Sequence, residues 1–352
     1  MSNYILQTVK ELKENTEHGN HNFELVSLFA GGGGSSTGYR MAGGKPLAVN
    51  EFIPEALKTY EANWPSTKLI SGDIRKLTPE EILDVIGKEK FELDLLDGSP
   101  PCSAFSTAGK REKGWGKTKQ YSDTTQKNVE DLFFEYIRMV RGIMPRVFIA
   151  ENVSGLAKGK AKGYLNEIMR ELKASGYQVS CKILNAKWLG VPQGRQRTIF
   201  VGVRNDVWKP EWNGNLHPKP FSEIITLEQA FEGLTFTDLD DKETNIEKYA
   251  IYRQAIQLSK GEQSTKYFSL VKTNPKSYAP TITATTGTKG AAKPIHWDNR
   301  SFTVSEVKRI MSIPDDYILT GSYSQQVERL GRMVAPLMYK HLCEHLIKIG
   351  VL

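Results

Sequence analysis

The chain has 352 residues, 39% apolar and 25% charged, which is the composition of a folded globular protein and excludes a disordered or fibrous one. No apolar run approaches the ~18 residues of a membrane span, and the opening MSNYILQTVKELKENTEHGN lacks the apolar core of a signal peptide, so neither membrane insertion nor secretion is expected. Three cysteines, Cys102, Cys181 and Cys343, have no CxxC or Cys/His neighbour at zinc-ligand spacing; a reducing compartment and no structural metal follow. The formal charge is +7, from 47 basic and 40 acidic residues, compatible with a polyanionic partner but uninformative alone. Its distribution says more. Residues 109–120 hold Lys110, Arg111, Lys113, Lys117 and Lys119 against Glu112, and residues 253–293 hold seven cations against the single acid Glu262.

In chain order, FELVSLFA leads to a glycine loop and a helix, LAVNEF to PEALKTYEANW, and KLISGDI to TPEEILDVIG. Then come ELDLLDGSPPC, helix-like VEDLFFEYIRMVRG, VFIAENV, helix-like YLNEIMRELKAS, QVSCKILNA and TIFVGVR. Strands alternating with helices of this length predict an α/β fold with a mostly parallel, doubly wound sheet covered on both faces. Near Val203 the rhythm stops. Residues 206–295, with Trp208, Pro210, Trp212 and the Thr-rich APTITATTGT, read as a second, smaller domain of irregular and β structure. After it, Thr303 with Glu306 three residues on predicts a capping box, and residues 326–350 read as helical on either side of Gly331–Pro336. The expected organisation is a first domain over 1–205, a second over 206–295, and helices over 296–352 returning to the first.

The first strand ends in Phe29-Ala30-Gly31-Gly32-Gly33-Gly34 and runs into a helix, so backbone amides can approach a nucleotide-like ligand at the helix N-terminus. A dinucleotide is one candidate, but the GxGxxG spacing is not met, since the sixth residue from Gly31 is Ser36. Glu51 ends the second strand, where a carboxylate accepts from ribose hydroxyls, and Asp73 ends the third, where it can accept from an adenine amino group. The fourth strand ends in Gly98-Ser99-Pro100-Pro101-Cys102. Two prolines fix φ and withhold donors there, presenting Cys102 rigidly at the sheet's C-terminal edge, ahead of Ser103, Ser106 and a basic loop that favours thiolate. Cys181 and Cys343 lie in an apolar strand and a helix and are read as packing residues. Glu151 ends the fifth strand, and in Gln193-Gly194-Arg195-Gln196-Arg197 alternation puts Arg195 and Arg197 on one side of an extended segment. A cysteine, a glutamate and two arginines on neighbouring strand ends can attack, protonate and orient a polar ring.

The ordered series FAGGGG, GDI, SPPC, ENV, QGRQR, TVSEVKRIMSIPDDY and GRMVAP resembles the motif set of the DNA (cytosine-5) methyltransferases from Val26 to Leu346. The resemblance implies an S-adenosylmethionine-dependent methyltransferase (Rossmann-like) fold, a seven-stranded sheet with its last strand antiparallel, and a target-recognition domain over 206–295 that contains Thr281-Ile282. It implies that Phe29, Ala30, Gly31, Gly33, Gly34, Glu51, Phe52, Asp73, Ile74, Leu132 and Val334 bind S-adenosylmethionine. Cys102, Glu151, Arg195 and Arg197 would be catalytic, and Ser106, Lys110, Arg111, Thr281 and Ile282 would contact double-stranded DNA. A cytoplasmic, nucleoid-associated monomer of bacterial or phage type, acting as a modification methylase, is implied with it. Three positions depart from the family pattern: Ser103 stands where Gln is common, Arg332 where Asn follows Gly331, and Leu337 where a second proline follows Pro336. The same catalytic set occurs in related tRNA methyltransferases, which keeps RNA as the alternative substrate. A dinucleotide-dependent oxidoreductase is disfavoured by the glycine spacing and by the lack of a His or Tyr acid–base pair at the strand ends. A catalytically dead binding module is disfavoured by the presence of Cys102, Glu151 and Arg197 together.

Overall fold

The structure, a computed structural model, describes residues 4–17, 21–101, 119–120, 125–126, 131–157 and 161–352. In chain order its elements are α1 (Val9–Glu17), β1 (Phe23–Leu28), α2 (Gly34–Met41), β2 (Gly44–Glu51), α3 (Pro54–Asn63), β3 (Lys68–Ser71), α4 (Pro79–Ile86) and β4 (Leu95–Gly98). There follow β5 (Lys119–Gln120), β6 (Thr125–Gln126), α5 (Leu132–Ile143), β7 (Val147–Val153), α6 (Lys162–Ala174), β8 (Tyr177–Asn185), β9 (Gln193–Gly194) and β10 (Gln196–Arg204). The remainder are α7 (Leu227–Phe231), α8 (Asp238–Thr244), α9 (Tyr252–Ala255), β11 (Val271–Lys272), β12 (Ala279–Pro280), β13 (Pro294–Ile295), α10 (Val304–Ile310), α11 (Tyr323–Arg332) and α12 (Pro336–Lys348). None of the described helices is long and apolar enough to cross a membrane.

The chain divides into two compact units. The sheet unit comprises Lys13–Leu184, Gln196–Lys219 and Tyr339–Leu352; the second unit comprises Met1–Leu12, Asn185–Arg195 and Pro220–Met338. Residues 220–295 thus cluster with α10 and α11, while most of α12 clusters with the sheet.

In the sheet unit seven strands run in the order β3-β2-β1-β4-β7-β10-β8. The pairs β1/β2, β2/β3, β1/β4 and β4/β7 are parallel and β10 is antiparallel to β7, the α/β arrangement with a reversed last strand expected above. Parallel strands covered on both faces must be apolar throughout. Accordingly Val26, Leu28, Leu96, Phe148, Ala150 and Phe200 enter one core with Phe133, Tyr136 and Ile137 of α5. Local signals set the helix ends: Thr78 and Glu81 form a capping box on α4, Pro79 opens it, and Gly87 at φ +67° stops it.

Two strand glycines make room for rings. A Cβ on Gly98 would stand 2.4 Å from the Tyr136 ring, and one on Gly202 would stand 2.1 Å from the Phe148 ring, its direct partner across β7/β10. In the second unit β9 pairs parallel with β12 and β11 with β13. Ile246, Ile251, Ala255, Leu270 and Ile295 form its small core, and the Thr303–Glu306 capping box forms on α10.

Overpacking at Gly202 gives a first prediction. Gly202→Ala should destabilise the fold by about 1–3 kcal/mol, read as a lower urea midpoint at unchanged m value, and adding Phe148→Leu should recover most of the loss.

Candidate active site

The β1–α2 turn is wound by left-handed residues: Phe29 at φ +57°, Gly31 at +55° and Gly33 at +92°. A non-glycine residue at positive φ is costly and persists only where its surroundings hold it. The holder is Glu51, the last residue of β2. One carboxylate oxygen accepts from Gly31 N at 2.7 Å and the other from Phe52 N and Ile53 N at 2.8 Å each. Ala30 N donates to Asn50 O at 3.1 Å, and Gly33 caps α2, all of whose residues, from Gly34 on, are buried. A side chain on Gly31 would meet nothing within 4 Å. Gly31 therefore presents bare backbone to open space, which fits an adenosine-bearing ligand with Glu51 and Asp73 at the neighbouring strand ends.

At the next strand end Asp73 caps the turn that follows β3. Its carboxylate accepts from Arg75 N at 3.1 Å and from the Arg75 guanidinium at 3.0 and 2.9 Å. Ile74 and Leu132 are buried, and Phe52 is partly exposed.

Glu151 and Arg197 come together. Antiparallel register sets Arg197 opposite Val153 and Glu151 opposite Ile199, so the two side chains share a face one step apart on the diagonal. Arg197 Nε lies 2.5 Å from Glu151 Oε1, with the side chains 14% and 12% exposed. Asn152 beside it donates to Pro100 O at 3.2 Å, tying β7 to the segment that leads into Cys102. Cys102, Ser103, Ser106, Lys110 and Arg111 lie outside the described residues.

Arg195 belongs to the second unit. It is 3% exposed and donates to the carbonyls of Ile282 at 2.9 Å, Gly331 at 3.2 Å and Met333 at 2.9 Å. Thr281 Oγ1 donates to Gly194 O at 2.7 Å and Ile282 N to Gln193 Oε1 at 3.0 Å. The Gln193–Arg195 strip therefore holds both Thr281 and Ile282. Gly331 is needed for close approach in the same place, because a Cβ there would stand 2.3 Å from Thr283 O. Val334, also in this unit, is 6% exposed. Arg332, the departure from Gly-Asn, pairs with Glu328 within α11 at 2.8 Å.

One buried acid escaped the sequence reading. Asp97 in β4 is fully buried, accepts from Ser27 Oγ at 2.6 Å and Tyr39 Oη at 2.9 Å, and is pushed up to about 6, chiefly by burial. An acid inside the apolar run LDLLDG was its only sequence signal. Burial also pushes the Cys181 thiol up to about 12, and Cys343 is fully buried, in keeping with packing roles. Among the described residues no group of three or more His, Cys, Asp or Glu could hold a metal ion.

The family model for C-5 cytosine-specific DNA methylase matches residues 23–348. Among similar proteins, Type II methyltransferase M1.HphI of Haemophilus parahaemolyticus is 28% identical over 92% of this chain and 87% of its own length. Type II methyltransferase M.Eco47II of Escherichia coli is 30% identical over 91% of this chain and 78% of its own. Among solved structures, a prophage-encoded DNA modification methyltransferase of E. coli superposes with a TM-score of 0.73 at 20% identity, covering 93% of this chain and 99% of that one. The Dnmt2 methyltransferase of S. pombe superposes with a TM-score of 0.66 at 17% identity, over 93% and 99%; at these identities the likeness is one of fold. With the match spanning both units and every sheet strand, the chain belongs to the C-5 cytosine-specific DNA methylases, whose cofactor is S-adenosylmethionine.

Proposed function

We propose that this enzyme methylates carbon 5 of a cytosine flipped out of a specific sequence in duplex DNA, through a covalent bond from Cys102, as the modification partner of a restriction system. The observation that carries the reading is the Glu151–Arg197 pair at 2.5 Å, on the strand beside the one leading to Cys102. The relatives above are Type II methyltransferases, which favours DNA over the tRNA alternative.

Carbon 5 of cytosine is a poor nucleophile. Addition of the Cys102 thiolate to carbon 6 forms a C–S bond and moves the ring's double-bond electrons toward N3 and O2. Glu151 hydrogen-bonds the N3 edge and supplies the proton, and Arg197 binds O2 and stabilises the charge that develops there. When bound, S-adenosylmethionine supplies the electrophilic methyl group that carbon 5 takes up. Loss of the carbon 5 proton then returns electrons to the ring and expels the thiolate. The glycine turn 29–34, Glu51, Phe52, Asp73, Ile74, Leu132 and Val334 would hold the cofactor. Arg195, committed to three carbonyls, would act by holding Thr281-Ile282. None of this can occur inside a stacked duplex, so the base must be extruded, at a cost of a few kcal/mol.

In this reading 1–205 is catalytic, 206–295 reads the sequence, and 296–352 completes the catalytic part. Ser106, Lys110 and Arg111 contact the phosphate backbone, which sets register without reading bases. Of the seven cations in 253–293, Lys272 and Lys293 are buried and donate to Leu258 O and Thr288 O. Five therefore face solvent, and in the Thr-rich segment Thr285 and Thr288 are exposed while Thr286 is buried.

Cys102→Ser should abolish tritium transfer from labelled S-adenosylmethionine to duplex DNA while leaving melting and cofactor binding nearly unchanged, and 5-fluorocytosine DNA should trap the wild type as a denaturation-resistant adduct. Substantial activity in the variant, or transfer to tRNA in place of DNA, would overturn the assignment. Substitutions at Thr285 and Thr288 should change which site is methylated in bisulfite sequencing, at roughly 1–3 kcal/mol of discrimination per lost base contact. Neutralising Lys110 and Arg111 should instead weaken binding to all sequences alike and flatten its salt dependence.

A further inference from the structure

Beneath the proposed catalytic edge lies a carboxyl that the chemistry above does not use. Asp97 is the direct partner of Ser27 across β1/β4, and the Ser27 hydroxyl donates to one of its oxygens at 2.6 Å. Tyr39 of α2 donates to the other at 2.9 Å, and the Ser35 hydroxyl stands 3.5 Å from that of Ser27. The glycine turn is thus gripped on both sides through one group. Ser27 lies two residues before Phe29, Ser35 and Tyr39 follow Gly34, and Asp97 itself lies five residues before Cys102.

The hydroxyls that hydrogen-bond Asp97, those of Ser27, Ser35 and Tyr39, are all uncharged. A buried carboxylate without a cation is a poor way to stabilise a core, because neutral donors replace its hydration incompletely. Residues that cost stability and sit at a site's foundations are candidates for function. We propose that Asp97 is a positioning residue for methyl transfer, its carboxylate binding the glycine turn and the strand leading to Cys102 into one frame that fixes the cofactor's distance from the nucleophile. The inference rests on the roles given above to that turn and to Cys102.

The groups facing Asp97 are Tyr39 on α2, Tyr136 on α5, Glu151 on β7, and Tyr339 and Cys343 on α12. Burial raises Asp97 from 3.8 to about 6 against the pull of the Ser27, Ser35 and Tyr39 hydroxyls, and the charge of Glu151 adds to the rise. A carboxyl raised in the folded state supports folding fully below its unfolded value, and that support is lost as pH rises through about 6. At pH 8 the ionised group therefore works against the fold.

The test is Asp97→Asn in the full-length enzyme. The Ser27 and Tyr39 hydroxyls can rotate to meet an amide, so the fold should survive. At pH 8 the variant should melt about 2–5 °C above the wild type, with the gap closing toward pH 5. Its affinity for S-adenosylmethionine should change less than about threefold, while single-turnover methyl transfer falls about tenfold to a hundredfold. Tyr39→Phe, which deletes one donor, should lose rate to a smaller extent and carries the test if Asp97→Asn fails to fold. An unchanged single-turnover rate, loss of rate accompanied by a lower melting temperature at pH 8, or loss of cofactor binding would each overturn the proposal. A wild type that transfers no methyl group to DNA would overturn the reading beneath it; an active wild type with an unimpaired variant overturns this inference alone.

Discussion

Removing a carboxylate from water costs several kcal/mol unless something replaces its hydration, and the C-terminal edge of this sheet gathers four acids. The chain meets the problem differently at each strand end. Glu51 is met by three backbone amides, which also lock the turn that carries Phe29 and Gly31. Asp73 is met by the fork of Arg75, and Glu151 by Arg197. Only Asp97 is left with hydroxyls. The partner chosen decides what each acid can do. Amides fix geometry without cancelling charge, an arginine fork largely cancels it, and hydroxyls only partly oppose the burial that pushes the Asp97 carboxyl up to about 6.

The strand ends were legible because a parallel, doubly covered sheet has to be apolar along its length and polar where it stops. Glu51, Asp73 and Glu151 each follow an apolar run, so sequence position alone puts them on one edge. Asp97 was illegible for the complementary reason: it lies within the run LDLLDG, one residue short of the end of β4, and its partner Ser27 is 70 positions away. Only strand register brings them together.

The second unit was harder to read for the same physical reason. Its bounds depend on contacts such as Tyr4 Oη to Arg309 O and Val9 N to Asp316 Oδ1, more than 300 positions apart, which no local periodicity encodes. Charge counting misled at Lys272 and Lys293, because long side chains can run their ammonium groups back to backbone carbonyls. The capping box at Thr303 and the glycine stop after α4 were set by residues within four positions of one another, and such signals survive in sequence.

Alternation along an extended segment sends Arg195 and Arg197 the same way only while the strand continues. Between them the chain leaves the second unit and enters β10, so the two arginines find different partners. Arg195 grips the backbone of Ile282 and the end of α11, and Arg197 grips Glu151. The strip that holds Thr281 and Ile282 in place is therefore covalently continuous, over two residues, with the residue paired to the proposed general acid.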